Sequence, residues 1–223
     1  MTLDDMTALL AGRLGQRSDI NQMIYREIQQ AQRALEKTPP YPWFLQAVAT
    51  VDSDATTQIL PDDFIELIED IIYIRKPTNS TEYYNRSFLV YGAYLEHVTM
   101  EPGFGVPKNF YIIGSFVGMT PAPDQSYTFD IPYYKRDVPL TNGSSENLWS
   151  TKAEDLLVAE AGWHVARNIR DNEAATLFGQ DRAEARRRIA QETTSRLESM
   201  RRAVIGSGED ALLGQVHWEA GHQ

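Results

Sequence analysis

Tyr127-Thr128-Phe129-Asp130-Ile131-Pro132-Tyr133 alternates large apolar side chains with smaller or polar ones. A period of two places Tyr127, Phe129, Ile131 and Tyr133 on one buried face of a strand. Working outward, Thr56–Leu60 and Phe110–Ile113 also read as strands. Phe64–Ile74 satisfies both periods and is assigned to strand, whereas Glu82–His97 reads as a helix before the loop Glu101–Pro107. All 11 prolines lie between Pro39 and Pro139, and ten of the 11 tyrosines lie between Tyr41 and Tyr134. Proline interrupts helices, and aromatic and β-branched residues favour strands. The middle of the chain is therefore strand-rich, and both flanks, proline-free and rich in Ala, Leu, Arg, Glu and Gln, are helical.

On the N-terminal flank, Thr2-Leu3-Asp4-Asp5 resembles a capping box and opens a helix that stops at Gly15. A second helix spans about Ser18 to Lys37, with Ile20, Met23, Ile24, Ile28, Ala31 and Leu35 on its apolar face. After the loop Thr141–Asn147, Thr151-Lys152-Ala153-Glu154 reads as a capping box for a helix to Asp171 with Leu156, Leu157, Ala161, Val165 and Ile169 inward. Asp181-Arg182-Ala183-Glu184 reads as the start of a last helix to Val204, whose apolar stripe (Ala185, Ile189, Leu197, Met200, Val204) is thin. Gly206-Ser207-Gly208 then reads as a hinge releasing a flexible tail. The expected class is α+β. Residues 1–40 and 144–205 form a helical body, 41–143 a β-rich insertion and 206–223 a C-terminal tail.

The 223 residues carry a formal net charge of -10, with 42% hydrophobic and 10% aromatic residues. A core can therefore be buried, and the whole chain lacks the basic footprint of a nucleic-acid binder. There is no cysteine, hence no disulfide and no thiolate site. The acidic N-terminus is not a signal peptide, and no run of 18 apolar residues predicts a membrane span. Glu160 and His164 stand at i, i+4 on a helix but have no companion ligand nearby, so no metal is expected. No Gly-x-Ser-x-Gly elbow, Walker loop or dinucleotide loop occurs. No cofactor and no enzymatic activity are expected. A pair of carboxylates acting on cell-wall glycan has no sequence spacing, so it stands as the alternative from another class.

Several stretches, in order, resemble the head-to-tail adaptor proteins of tailed bacteriophages and prophages. These are the N-terminal helix pair followed by Trp43-Phe44, and Leu60-Pro61-Asp62-Asp63-Phe64. Next come Gly105-Val106-Pro107 with Phe110-Tyr111-Ile112-Ile113-Gly114, then Pro121-Ala122-Pro123-Asp124, and Ile131-Pro132-Tyr133-Tyr134. The last is Asn147-Leu148-Trp149. Together they cover roughly residues 1 to 175. The resemblance implies a structural virion protein made in the host cytoplasm and placed in the neck, at the portal vertex. It would form a dodecameric ring that docks on the portal by its C-terminal segment, receives tail or nozzle proteins, and conducts genomic DNA without specific binding. A tail-tube or terminator subunit is the structural alternative.

The residues suggest how such a ring would hold. Leu212, Leu213, Val216 and Trp218 are too few to bury one another, so they are expected to fill pockets on the portal. From Thr38 to Ile74 there is no Lys or Arg, while Asp52, Asp54, Asp62, Asp63, Glu66, Glu69 and Asp70 accumulate. Arg186-Arg187-Arg188 sits in a stretch of local positive balance. Asp62, Asp63 and Glu66 on one subunit are therefore candidates to pair with Arg186, Arg187 and Arg188 on the next. Solvation of both faces is the plainer possibility.

Overall fold

A computed structural model describes residues 1–68, 70–75, 83–91 and 103–206; of 18, 83–91 and 197–206 only the backbone is described. The described residues divide into two compact units, one of Met1–Leu45 with Arg136–Glu198 and one built on Gln46–Lys135. The class is α+β: helices from both ends of the chain make the first unit, and a sheet makes the second.

In the helical unit, α1 (Leu3–Arg13) begins as its capping residues require. The Thr2 hydroxyl accepts from Asp5 N–H, and the Asp5 carboxylate accepts from Thr2 N–H, each at 3.1 Å. Those hydrogen bonds hold the Asp5 carboxyl below its ordinary range. Helix α2 (Asn21–Leu35) buries Ile24, Ile28, Ala31 and Leu35, as its period dictates. The expected cap at Thr151 is corrected. Asn147 caps a short helix α3 (Leu148–Lys152) through Ser150 N–H at 2.9 Å, and Thr151 lies inside it, bonding back to Asn147 O. After Ala153, α4 (Glu154–Asn168) starts without a side-chain cap and buries Leu156, Leu157, Ala161 and Val165.

Arg170, at φ 60°, turns the chain, and Asp171 accepts from Ala174 N–H at 3.0 Å to begin α5 (Asn172–Gly206). The expected start at Asp181 is therefore also corrected. Asp181 lies well inside a 35-residue helix, about 52 Å long at 1.5 Å per residue. Its carboxylate serves as a partner for Arg13 and caps nothing.

In the second unit the strands are β1 (Gln46–Ser53), β2 (Thr57–Ile59), β3 (Phe64–Leu67), β4 (Ile71–Arg75), β5 (Tyr83–Tyr91), β6 (Phe104–Gly105), β7 (Asn109–Ile113), β8 (Phe116–Thr120), β9 (Ala122–Pro123) and β10 (Tyr127–Lys135). The segment Phe64–Ile74 holds two strands, β3 and β4, with Asp70 between them at φ 51°. The helix expected over Glu82–His97 is overturned for residues 83–91, and the remainder of that expectation lies outside the described residues. Tyr83, Tyr84, Phe88, Val90 and Tyr91 are strand formers, and β5 satisfies its backbone by pairing antiparallel with β4 and parallel with β7.

The sheet order is β1-β10-β4-β5-β7-β8-β2, with β3 also on β10. At ~4.8 Å per strand, a flat sheet would hold β1 and β2 about 29 Å apart. Yet only Asp54–Thr56 join them, a link spanning at most ~15 Å. The sheet must therefore curl until its ends approach. Its interior holds Leu60, Leu67, Ile72, Ile74, Phe110, Val117, Met119, Tyr127, Phe129 and Ile131.

Asp130 lies on the other face of β10 and is only 4% exposed. Arg75 donates to it from Nε at 2.7 Å and from Nη2 at 2.8 Å, and Thr50 donates at 2.7 Å. Removing one member of a buried pair strands the other. Asp130→Ala is expected to cost roughly 2–4 kcal/mol in urea unfolding. The exposed Asp52→Ala should stay within about 0.5 kcal/mol. Equal, small losses for both would show that the Arg75 pair does not stabilise the sheet.

Candidate functional site

Helix α5 buries Phe178, Ala185, Ile189 and Thr193 and adds a series of arginine contacts. Phe178, 2% exposed, sits against Gly162, where a Cβ would meet its ring at 2.6 Å. One turn further on, the buried Glu160 carboxylate accepts from Arg182 at 3.2 Å and from Arg186 at 2.9 Å. The Arg182 and Arg167 guanidiniums lie 4.3 and 4.6 Å from the Trp163 ring centroid. Arg13 pairs with Asp181 and lies over Phe178, Arg188 pairs with Asp155, and Arg196 lies over Trp43 at 3.5 Å. Glu160 is the buried centre of this set, at 6% side-chain exposure, whereas the Arg13–Asp181 and Arg188–Asp155 pairs are solvent-exposed and contribute little each.

Two of the three arginines suggested for the ring contact, Arg186 and Arg188, thus already have partners within the subunit. Arg187 is exposed and has no ion-pair partner among the described residues. Glu160 and His164 approach to 3.8 Å, but the Glu160 carboxylate is engaged by two guanidiniums. Among the described residues no three His, Asp or Glu converge to hold a metal.

Asp62, Glu66, Asp54 and Asp70 are exposed on the curled sheet, while Glu69 lies outside the described residues. Asp63 accepts from the Tyr133 hydroxyl at 2.9 Å. Burial, reinforced by that carboxylate, pushes the Tyr133 phenol above its ordinary range. The acidic candidates are therefore mostly solvated, with Asp63 partly committed to its own sheet.

A groove of about 300 Å³ in the helical unit is lined in part by Leu9, Val158 and Ala185 and by the carboxylates of Glu154, Asp155, Asp181 and Glu184. Asp155 and Asp181 are neutralised there by Arg188 and Arg13. Leu212, Leu213, Val216 and Trp218 lie outside the described residues. Sequence reasoning missed the Phe178–Gly162 contact and the exposed row Ile59, Ile113 and Phe116. The only available signal for the row was Ile113-Gly114-Ser115-Phe116, a two-residue hairpin turn flanked by large apolar residues.

A helical body clamped by arginine and a curled sheet whose inner face is filled by side chains define an α+β structural subunit. A family model described as SU10 adaptor protein matches residues 1–205, and the chain belongs to that family of phage head-to-tail adaptors. It is a phage adaptor structural protein. No curated protein matches it. No helix among the described residues is long and apolar enough to cross a membrane.

Proposed function

We propose that this chain is the subunit of a dodecameric adaptor ring at the portal vertex, docking on the portal and conducting DNA to tail or nozzle proteins. The family match across residues 1–205 carries this reading. Charge supports it: at a net -10 the subunit repels phosphate, so packed DNA slides past instead of binding. In this proposal residues 1–40 and 144–205 form the body, 41–143 are the insertion, and Leu212, Leu213, Val216 and Trp218 on segment 206–223 fill portal pockets.

The electrostatic contact between subunits contracts to Arg187 with Asp62 and Glu66, because Arg186, Arg188 and Asp63 are engaged internally. A contact so small does not hold a ring without help. The isolated chain is therefore expected to be monomeric or weakly associated, and to form rings when purified portal is added. Native mass spectrometry with and without portal checks this. A stable ring from the chain alone would show that no template is required. Absence of any complex with portal would overturn the docking itself.

A further inference from the structure

Ile59, Phe116 and Ile113 are register partners on three adjacent strands: Ile59 opposes Phe116, and Phe116 opposes Ile113. Directly opposed residues of antiparallel strands share a face. The three therefore form one row on the outside of the curled sheet, while the adjacent Val117 points into its core. They are 59%, 47% and 48% exposed. On the same face the Tyr111 ring lies over Gly118, where a Cβ would stand 2.1 Å from it, so the apolar surface continues along β7. Residues 55–61 and 109–123 contain no Asp, Glu, Lys or Arg.

We infer that this ridge is a contact between copies of this chain, seating Ile59, Ile113 and Phe116 against the neighbouring subunit. The inference rests on the ring reading above. Copies that each carry a net charge of -10 repel one another, so their contact needs uncharged ground. The ridge supplies it, with no charged group to desolvate. Its three side chains expose on the order of 300 Å², well under the ~800 Å² that each partner of a stable pair contributes. Two isolated copies therefore associate weakly. In a closed ring on a template every copy makes the contact twice, at high effective concentration.

The test uses the full chain with a photo-crosslinking phenylalanine in place of Phe116, irradiated alone at high concentration and with portal rings. Mass spectrometry of the crosslinked peptides identifies the partner. Chain-to-chain crosslinks are expected in both samples. Ile59→Ser with Phe116→Ser should weaken self-association about tenfold or more, with the melting temperature held because both side chains are on the surface.

Crosslinks to portal alone, or no crosslink at Phe116, would overturn the inference. Unaltered self-association of the double variant would do the same. Rings of the unsubstituted chain are scored in parallel by electron microscopy. Rings without chain-to-chain crosslinks refute the ridge and leave the ring reading standing, whereas self-crosslinks without rings do the reverse.

Discussion

Deletion of residues 206–223 is expected to abolish portal binding while leaving the melting temperature of the subunit unchanged. The contacts that hold α5 to its unit run from Phe178 to Arg196 and lie upstream of the deletion. Four apolar side chains, Leu212, Leu213, Val216 and Trp218, gain on the order of 6–12 kcal/mol gross when buried. Ordering only the seven residues 212–218 that carry them costs ~1–2 kcal/mol per residue. One tail is therefore marginal, and many tails tethered in a ring bind firmly.

Leu213→Ala with Trp218→Ala should weaken portal affinity by several kcal/mol, because buried aromatic anchors dominate such contacts. If the segment packs on its own subunit instead, the same substitutions lower the melting temperature and leave affinity unchanged. Measuring both quantities on the same variants separates the two, and loss of stability with intact binding sinks the docking proposal.

The largest effect on folding is expected at Trp149. Its side chain is 1% exposed and meets the Phe44 ring edge-on at 5.1 Å. Its Nε1–H donates to the Glu36 carboxylate at 3.1 Å. That carboxylate also accepts from Gln32 at 3.0 Å and from Asp137 N–H at 3.2 Å. The Asp137 carboxylate in turn accepts from Leu148 N–H at 2.6 Å, at the start of α3. Trp149→Ala opens a cavity and removes a donor from a buried carboxylate. The expected cost is about 3–5 kcal/mol, a large part of the 5–15 kcal/mol typical of a folded domain.

Trp149→Phe keeps most of the volume and loses only the N–H, so it should cost roughly 1–2 kcal/mol. Urea unfolding of both variants provides the measurement. A Trp149→Ala unfolding free energy within about 1 kcal/mol of the parent, at unchanged m-value, would show that the neighbours refill the site.

Local signals were legible wherever neighbours in sequence decide the conformation. Thr2 and Asp5 cap α1 reciprocally because three residues separate them. The alternation from Tyr127 to Tyr133 placed its four side chains inward, each at most 6% exposed. The order of short motifs from the N-terminal helix pair and Trp43-Phe44 to Trp149 was enough to suggest the adaptor family, and the family match over residues 1–205 covers that whole range. Where local signals compete, they misled. Thr151-x-x-Glu154 and Asp181-x-x-Glu184 have capping spacing, but Asn147 and Asp171 stand earlier and satisfy the free N–H groups first. Tyr83–Tyr91 lacks clear alternation, so pairing with β4 and β7 decides it.

By itself the sequence determined the α+β class, the helical flanks, the strand-rich middle and the inward face of β10. These follow from proline placement, aromatic density and a period of two or 3.6, all of which act within a few residues. Only the tertiary structure decided that β1 and β2 stand at opposite ends of one curled sheet although three residues join them. It also decided that Asp130 is buried against Arg75, 55 residues away. Likewise it paired Arg186 and Arg188 with Glu160 and Asp155 on another helix, and aligned Ile59, Phe116 and Ile113 into one uncharged row. Each of these depends on groups far apart in sequence, and no local period or composition encodes which of many carboxylates a given arginine will reach.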